Sequence, residues 1–266
     1  MNESLLARPH LPPGPGVAWA LFLDIDGTLL DIAATPEEVI VPPDLGVTLE
    51  KLQRALGGAL ALVSGRAIKS IDRLFAPLRL PAAGQHGAEI RVADSEVTRA
   101  DVCSATLARV RADIFTHLVS MPGVRVEDKG LGFAVHYRHA PAAKGQIEQR
   151  LAEALALHAG ELELLHGKMV VEVRAREVNK GRALEVLMRQ PPFAGRIPVF
   201  VGDDLTDEDG FKAAERLGGY AIAVGHDRVQ VTRYWLSEPE AVRRWLQRLA
   251  TDIHWRDHEA EAACRT

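Results

Sequence analysis

Leu21-Phe22-Leu23-Asp24-Ile25-Asp26-Gly27-Thr28-Leu29-Leu30 is the stretch from which the rest of the chain takes its meaning. The apolar run Ala18–Leu23 predicts a buried strand. Two carboxylates follow, one residue apart, and then a Gly-Thr break. Alternate residues of an extended segment point the same way, so Asp24 and Asp26 leave the strand end close together. That end is the crevice where open α/β sheets bind ligands. Two neighbouring acids repel unless a cation or a shared proton relieves them, and Mg²⁺ is the cation that suits carboxylate and carbonyl oxygens. Gly27 permits a turn that a Cβ would obstruct and brings backbone N–H groups toward an anion. The plainer alternative, a strand followed by a polar turn, leaves two unneutralised acids unexplained.

Strand and helix signals then alternate. After a polar, proline-bearing loop, Asp44 is expected to cap a helix over Leu45–Leu56, with Gly57-Gly58 ending it. Ala59–Val63 predicts a second buried strand, ending at Ser64-Gly65-Arg66, and Ala67–Phe75 a second helix. Leu80–Ala83 follows as a short strand, and Gly84–Ile90 as a glycine-rich turn and strand. This order predicts an α/β fold with a doubly wound parallel sheet.

The pattern changes in the middle of the chain. Ser104–Val119 and Ala142–His158 predict helices, while Val124–Lys129 with Phe133–Arg138, and Leu162–His166 with Met169–Arg174, predict two hairpins. Antiparallel pairs with helices on one side make a small α+β module inserted into the parallel fold. Parallel-type signals then return: a helix from Asn179 to Met188, a buried strand Pro198–Val201, a helix Asp207–Leu217, a strand Tyr220–Val224 and a last helix Ala241–Leu249. The expected division is an arm (1–16), a core (17–97 and 177–250), an inserted cap (98–176) and a frayed polar tail (251–266).

Composition narrows the class. The 266 residues are 47% hydrophobic and 26% charged, ordinary for a globular protein. A net charge of −4 carries no basic footprint for nucleic acid. Two distant cysteines, Cys103 and Cys264, make neither a disulfide framework nor a cysteine metal site. No run approaches the ~18 apolar residues of a membrane span, and the Pro/Gly-rich start lacks a secretory core. A cytoplasmic location is the expectation; the sequence names no protein partner.

Chemistry gathers at three further places. Ser64 follows a strand as Asp24 does, and its hydroxyl with the adjacent N–H groups at Gly65 suits a phosphate oxygen. Lys180 opens a helix, where cations are disfavoured, so it faces an anion or is an ordinary surface lysine. Asp203-Asp204-Leu205-Thr206-Asp207-Glu208-Asp209 puts five acids in seven positions after a buried strand. Glu208 and Asp209 suit a helix N-terminus, and Thr206 or Asp207 can cap it. Asp203, the first acid off the strand, needs another reason.

Asp24-Ile25-Asp26-Gly27-Thr28 resembles the nucleophile motif of haloacid-dehalogenase-type phosphatases, and Ser64, Lys180 and Asp203 resemble the remaining motifs in the right order. The resemblance implies a Rossmann-like core with Asp24 as nucleophile and Asp26 as the acid and base that serves the leaving group and the water. It implies Mg²⁺ on Asp24, Asp203 and the main-chain carbonyl of Asp26, with Asp204 and Asp207 acting through metal-bound waters or by orienting other groups. Lys180, Ser64, Gly65 and Thr28 would hold the phosphoryl group.

Spacing places the cap. Only 40 residues run from Asp24 to Ser64, filled by one loop, one helix and one strand, whereas 116 run from Ser64 to Lys180. The core needs roughly a third of that second interval. Glu127 and Lys129 share one face of a strand and Glu172 lies on another, a set that can donate to and accept from sugar hydroxyls. Each is otherwise a solvated strand charge. His136 and His139 have no third ligand in view for zinc. With Gln85-His86-Gly87-Ala88-Glu89, Glu127-Asp128-Lys129, Gly167-Lys168 with Glu172, and Gly202-Asp203-Asp204-Leu205-Thr206-Asp207-Glu208, the stretch from Leu21 to Val224 resembles the trehalose-6-phosphate phosphatases. That implies trehalose 6-phosphate as substrate. Glu127, Lys129, Lys168 and Glu172 would contact the sugar, and Gln85, His86 and Gly87 would lie at the core–cap boundary. The alternatives are a phosphatase for another sugar phosphate, a silent sugar-phosphate-binding protein and a phosphotransferase or mutase.

Overall fold

The computed structural model describes residues 18–33, 35, 38–93, 95–99, 104–129, 132–158, 160–167, 169–225 and 232–263. It divides into two compact units: one built from the chain up to Thr98 and from Lys180 onward, the other from Arg99–Asn179.

The first unit begins with β1 (Trp19–Leu23), buried at every position. A loop leads to α1 (Leu45–Ala55), which buries Leu45, Leu49 and Leu52 at helical spacing. Asp44 stands before α1 but does not cap it: its carboxylate accepts from Gln247, while Thr48 donates to its main-chain oxygen. β2 (Leu60–Val63), α2 (Ile68–Leu74) and β3 (Ala82–Gly84) follow. The chain then reverses into β4 (Glu89–Arg91), antiparallel to β3, and β5 (Thr98–Arg99).

In the second unit, α3 (Ser104–Leu118) leads to β6 (Arg125–Asp128) and β7 (Gly132–His136). α4 (Lys144–Leu155) leads to β8 (Leu162–Gly167) and β9 (Val170–Ala175). The four strands pair antiparallel in the order β6-β7-β9-β8. Alternation gives this sheet one apolar face, with Phe133, Val135, Val171 and Val173 buried, and one polar face. Ile147, Leu151 and Leu155 of α4 and Val110, Ile114 and Leu118 of α3 complete its core.

The chain returns to the first unit through α5 (Lys180–Met188), β10 (Ile197–Gly202), α6 (Glu208–Arg216), β11 (Tyr220–Val224), β12 (Tyr234–Leu236) and α7 (Pro239–Ala263). Its sheet runs β12-β11-β10-β1-β2-β3-β4-β5, and every adjacent pair from β12 to β3 is parallel. β1 therefore sits near the centre with β10 and β2 on either side, which brings their C-terminal ends to one place. α1 packs against α7. Two short strands, β5 and β12, carry too few residues to show periodicity. The frayed tail expected from residue 251 is instead a continuation of α7 to Ala263, since nothing in that segment breaks a helix. No described helix is long and apolar enough to cross a membrane.

Candidate active site

β1 ends with Asp24, whose N–H donates to the carbonyl of Val201 on β10. The loop beyond it closes tightly, because the N–H groups of Thr28, Leu29 and Leu30 all turn back to the carbonyl of Ile25. Gly27 has φ +85°, and a Cβ there would lie 2.2 Å from a carboxylate oxygen of Asp203. Glycine is thus required twice over, for the turn and for the approach of β10's acid. Thr28, fully buried, donates its hydroxyl to Asp203 Oδ1 at 2.9 Å.

Lys180 is the hub. Its Nζ lies 2.8 Å from Asp24 Oδ1 and 2.7 Å from Asp207 Oδ1, with all three side chains 6% exposed or less. Its place at the first residue of α5, unfavourable for a cation in isolation, is offset by two carboxylates. Asp207 was expected to cap the following helix or to act near a metal. Asp207 makes no side-chain cap to α6, but it shares a capping box with Asp204 over the short turn Leu205–Asp207: Asp204 accepts from Thr206, and Asp207 Oδ2 accepts from the N–H groups of Asp203 and Asp204. Asp207 holds both the lysine and the acidic loop.

Carboxylate oxygens of Asp24, Asp203 and Asp207 lie within 4.8 Å of one another. Burial raises the pKa of Asp24 well above the ordinary range, and Asp207 adds to it, against the pull of Lys180. Burial likewise lifts Asp203 to about 6, with Asp207 reinforcing it. Burial opposes the charge on Lys180, but Asp207, Asp24 and Asp204 outweigh it and move its pKa up. Two buried carboxylates and the partly buried Asp203 around one ammonium carry an excess of negative charge when ionised. A divalent cation would balance it, and the donors are the hard oxygens such an ion prefers, so these residues fit Mg²⁺.

The second strand end adds a cation that sequence reasoning passed over. Arg66 grips Asp26 with two bonds, Nε to Oδ2 at 2.6 Å and Nη2 to Oδ1 at 2.7 Å, while its N–H reaches Ser64 Oγ at 3.2 Å. The signal lies in the sequence: Arg66 follows a strand end, as Asp24 and Ser64 do. Ser64 is buried, with its carbonyl accepting from the N–H of His86. A Cβ at Gly65 would stand 2.7 Å from the His86 ring. Gln85 and His86, at φ +49° and +57°, adopt the left-handed conformation, which is strained for residues with a Cβ. This strained turn is braced on the Ser64–Arg66 loop. Asp24, Asp26, Thr28, Ser64, Gly65, Arg66, Lys180, Asp203, Asp204 and Asp207 thus all stand at the ends of three adjacent parallel strands or in the first turn of the helix beside them.

The second unit carries the other set. Glu127, Ala134 and Glu172 stand in one cross-strand row of β6, β7 and β9. Lys129 Nζ reaches Glu172 Oε1 at 2.6 Å, a bridge that crosses over β7. The crossing is possible because β7 presents only Gly132 and the fully buried Ala134 there. Glu127 Oε2 lies 2.7 Å from His136 Nε2. The carboxyl of Glu127 is held below its usual range chiefly by this bond. Glu127, Lys129 and Glu172 are thus gathered on one face, with His136 added to them; Lys168 lies outside the described residues.

A profile of the trehalose-phosphatase family matches residues 22–235. The chain is 48% identical over 207 residues to a protein of Sinorhizobium fredii named a probable trehalose-phosphate phosphatase, covering 78% of each. It is 38% identical over 253 residues to the trehalose-6-phosphate phosphatase of Escherichia coli, covering 95% of this chain and 93% of that one. Among solved structures, a trehalose-6-phosphate phosphatase related protein aligns with a TM-score of 0.70 at 25% identity, covering 87% of this chain and 96% of the other. The fold is shared with BT1666 of Bacteroides thetaiotaomicron, described as one of the phosphatases of the HAD enzyme superfamily, at a TM-score of 0.61 and 17% identity, covering 90% of this chain and 98% of the other. With the match reaching from the middle of β1 to the middle of β12, across the buried acids and their lysine, the chain belongs to the trehalose-phosphatase family of enzymes.

Proposed function

We propose that this enzyme hydrolyses trehalose 6-phosphate to trehalose and phosphate with Mg²⁺, by way of a phosphoaspartate on Asp24. The observation that carries the reading is Asp24 at the end of β1, one carboxylate oxygen held by Lys180 and Asp203 close beside it. Asp24, Asp203 and the main-chain carbonyl of Asp26 would hold the ion, with Asp204 and Asp207 orienting what surrounds it. When bound, Mg²⁺ would supply charge neutralisation for the approach of a carboxylate to a phosphate ester.

Lys180 engages Oδ1 of Asp24, which leaves Oδ2 to attack phosphorus. The bond from phosphorus to the sugar oxygen breaks as the new O–P bond forms, and Asp26 gives that oxygen a proton. In the second step Asp26 takes a proton from water, the water oxygen attacks phosphorus, and the Asp24 carboxylate is restored as phosphate leaves. Arg66 holds both oxygens of Asp26, so Asp26 takes up the proton it donates on exchanging one of these bonds for it. Ser64, Gly65, Thr28 and Lys180 steady the phosphoryl group, where positioning and charge dominate the rate. The Arg99–Asn179 unit serves as the cap, its Glu127, Lys129, Lys168 and Glu172 reading the sugar; Gln85, His86 and Gly87 are the substrate-binding candidates of the first unit. The reaction belongs to trehalose biosynthesis in the cytoplasm.

Phosphate release tests the reading, measured on trehalose, glucose and sucrose 6-phosphates with Mg²⁺ or with chelator. Release from trehalose 6-phosphate alone, abolished by chelator, is expected. Release from another sugar phosphate overturns the assignment of the cap, and no release from any overturns the phosphatase reading. Asp24→Asn should lower turnover by a factor on the order of 10⁴ or more. It should also leave the melting temperature equal or higher, because it removes one of three crowded carboxylates.

A further inference from the structure

The polar face of the second unit's sheet holds one side chain that neither the family motifs nor the mechanism above employs. β7 puts Gly132, Ala134 and His136 on that face, and His136 is its only polar member. The ring Nε2 is 2.7 Å from Glu127 Oε2. A carboxylate only accepts, so Nε2 carries the hydrogen. Arg125 approaches the same oxygen at 3.8 Å, which leaves Oε1 of Glu127 as the acceptor for a ligand hydroxyl.

Both partners are accessible, with side-chain exposures of 33% for His136 and 41% for Glu127. A free glutamate that exposed samples many rotamers, and ordering it on binding costs affinity. A short bond from a strand residue removes that freedom in advance. The neighbouring glutamate is treated alike, since Glu172 is tied at 2.6 Å to Lys129. Each acid of the pair is thus restrained by a cationic or N–H partner on another strand.

We propose that His136 is a positioning residue for sugar recognition, fixing Glu127 so that its second carboxylate oxygen receives a hydroxyl of the sugar unit remote from the phosphate. This rests on the trehalose-phosphate reading of the preceding section and adds a residue to it. His136 makes no contact with the reacting atoms in this account, so its effect is on binding and is seen in KM rather than kcat.

The test uses the full chain with Mg²⁺, with kinetics on trehalose 6-phosphate and on p-nitrophenyl phosphate, which has no sugar. His136→Ala should raise KM for trehalose 6-phosphate about tenfold, with kcat changed less than twofold, equivalent to about 1.4 kcal/mol. The loss in kcat/KM should be at least fivefold greater for the sugar phosphate than for the aryl phosphate. His136→Gln, which retains an N–H donor at similar reach, should recover most of the loss. Added to Glu127→Ala, the His136→Ala change should cost less than a further twofold, because its target is gone. An unchanged KM, equal losses on both substrates, or full additivity with Glu127→Ala overturns the proposal while the substrate reading stands. A wild-type enzyme that prefers the aryl phosphate overturns the substrate reading itself, and the role of His136 with it, before any variant is made.

Discussion

The two units each hold carboxylates against cations, but the two clusters differ in how much water they see. At the strand ends of the first unit, Lys180 serves Asp24 and Asp207 with all three side chains 6% exposed or less. On the polar sheet face of the second, Lys129 and Glu172 are 25% and 19% exposed, and His136 and Glu127 more so. Burial strengthens every charge interaction and raises the cost of leaving a charge unpaired, so the first cluster is poised for chemistry on a doubly charged group. The second is rigid enough to present hydroxyl-binding groups and wet enough to exchange partners, which suits a neutral polyol. Number of partners marks the same contrast: three acids crowd one lysine in the first cluster, whereas each acid in the second has its own partner.

The sharpest way to break this comparison is to remove the hub. Lys180→Met strands two buried carboxylates and should cost about 3–5 kcal/mol of stability. Lys129→Met, at the partly exposed bridge, should cost no more than about 1 kcal/mol. Urea unfolding of the two variants measures both, and similar costs would end the distinction drawn from burial.

Next in size is the response to metal. A carboxyl whose pKa is raised on folding binds its proton more tightly in the native state than in the unfolded chain, where the value is about 3.9. The metal-free protein should therefore lose stability as the pH rises from about 4 through the value of about 6 for Asp203. Mg²⁺ bound at these acids would relieve that repulsion. At one hundred times its dissociation constant it should add about 2.7 kcal/mol at pH 7.5, with a smaller gain at pH 5, where protons compete for the same oxygens. Thermal melts with and without MgCl₂ at both values report this, and equal gains would mean that the acid cluster is not where the ion sits.

The smallest effect sharpens the account of the second unit. Ala134→Val places a larger side chain under the Lys129–Glu172 bridge and should displace it. The expected loss in kcat/KM on trehalose 6-phosphate is about tenfold, or roughly 1.4 kcal/mol, with little change on an aryl phosphate. Equal activity on both substrates in this variant would detach the bridge from sugar recognition.

Local sequence determined a good deal about this protein. Continuous apolar runs ending in Asp24, Ser64 and Asp203 marked strands buried on both faces, and their alternation with helices dictated the parallel sheet. The change to alternating strands between Ser104 and Arg174 marked the antiparallel module, because the period of two follows from one buried face. Such signals are local: they depend on which faces a segment must bury. The pairing of one charge with another is decided by strand order and by the depth of the site, neither of which is written in a short window. Arg66 meets Asp26 across 40 residues and Lys180 meets Asp24 across 156. Thr28 meets Asp203 across 175 residues, and Asp207 divides its carboxylate between Lys180 and the N–H groups of its own loop. Tertiary structure decided these partners because an acid in a buried loop takes the nearest available cation or N–H, and only the packed sheet determines which that is.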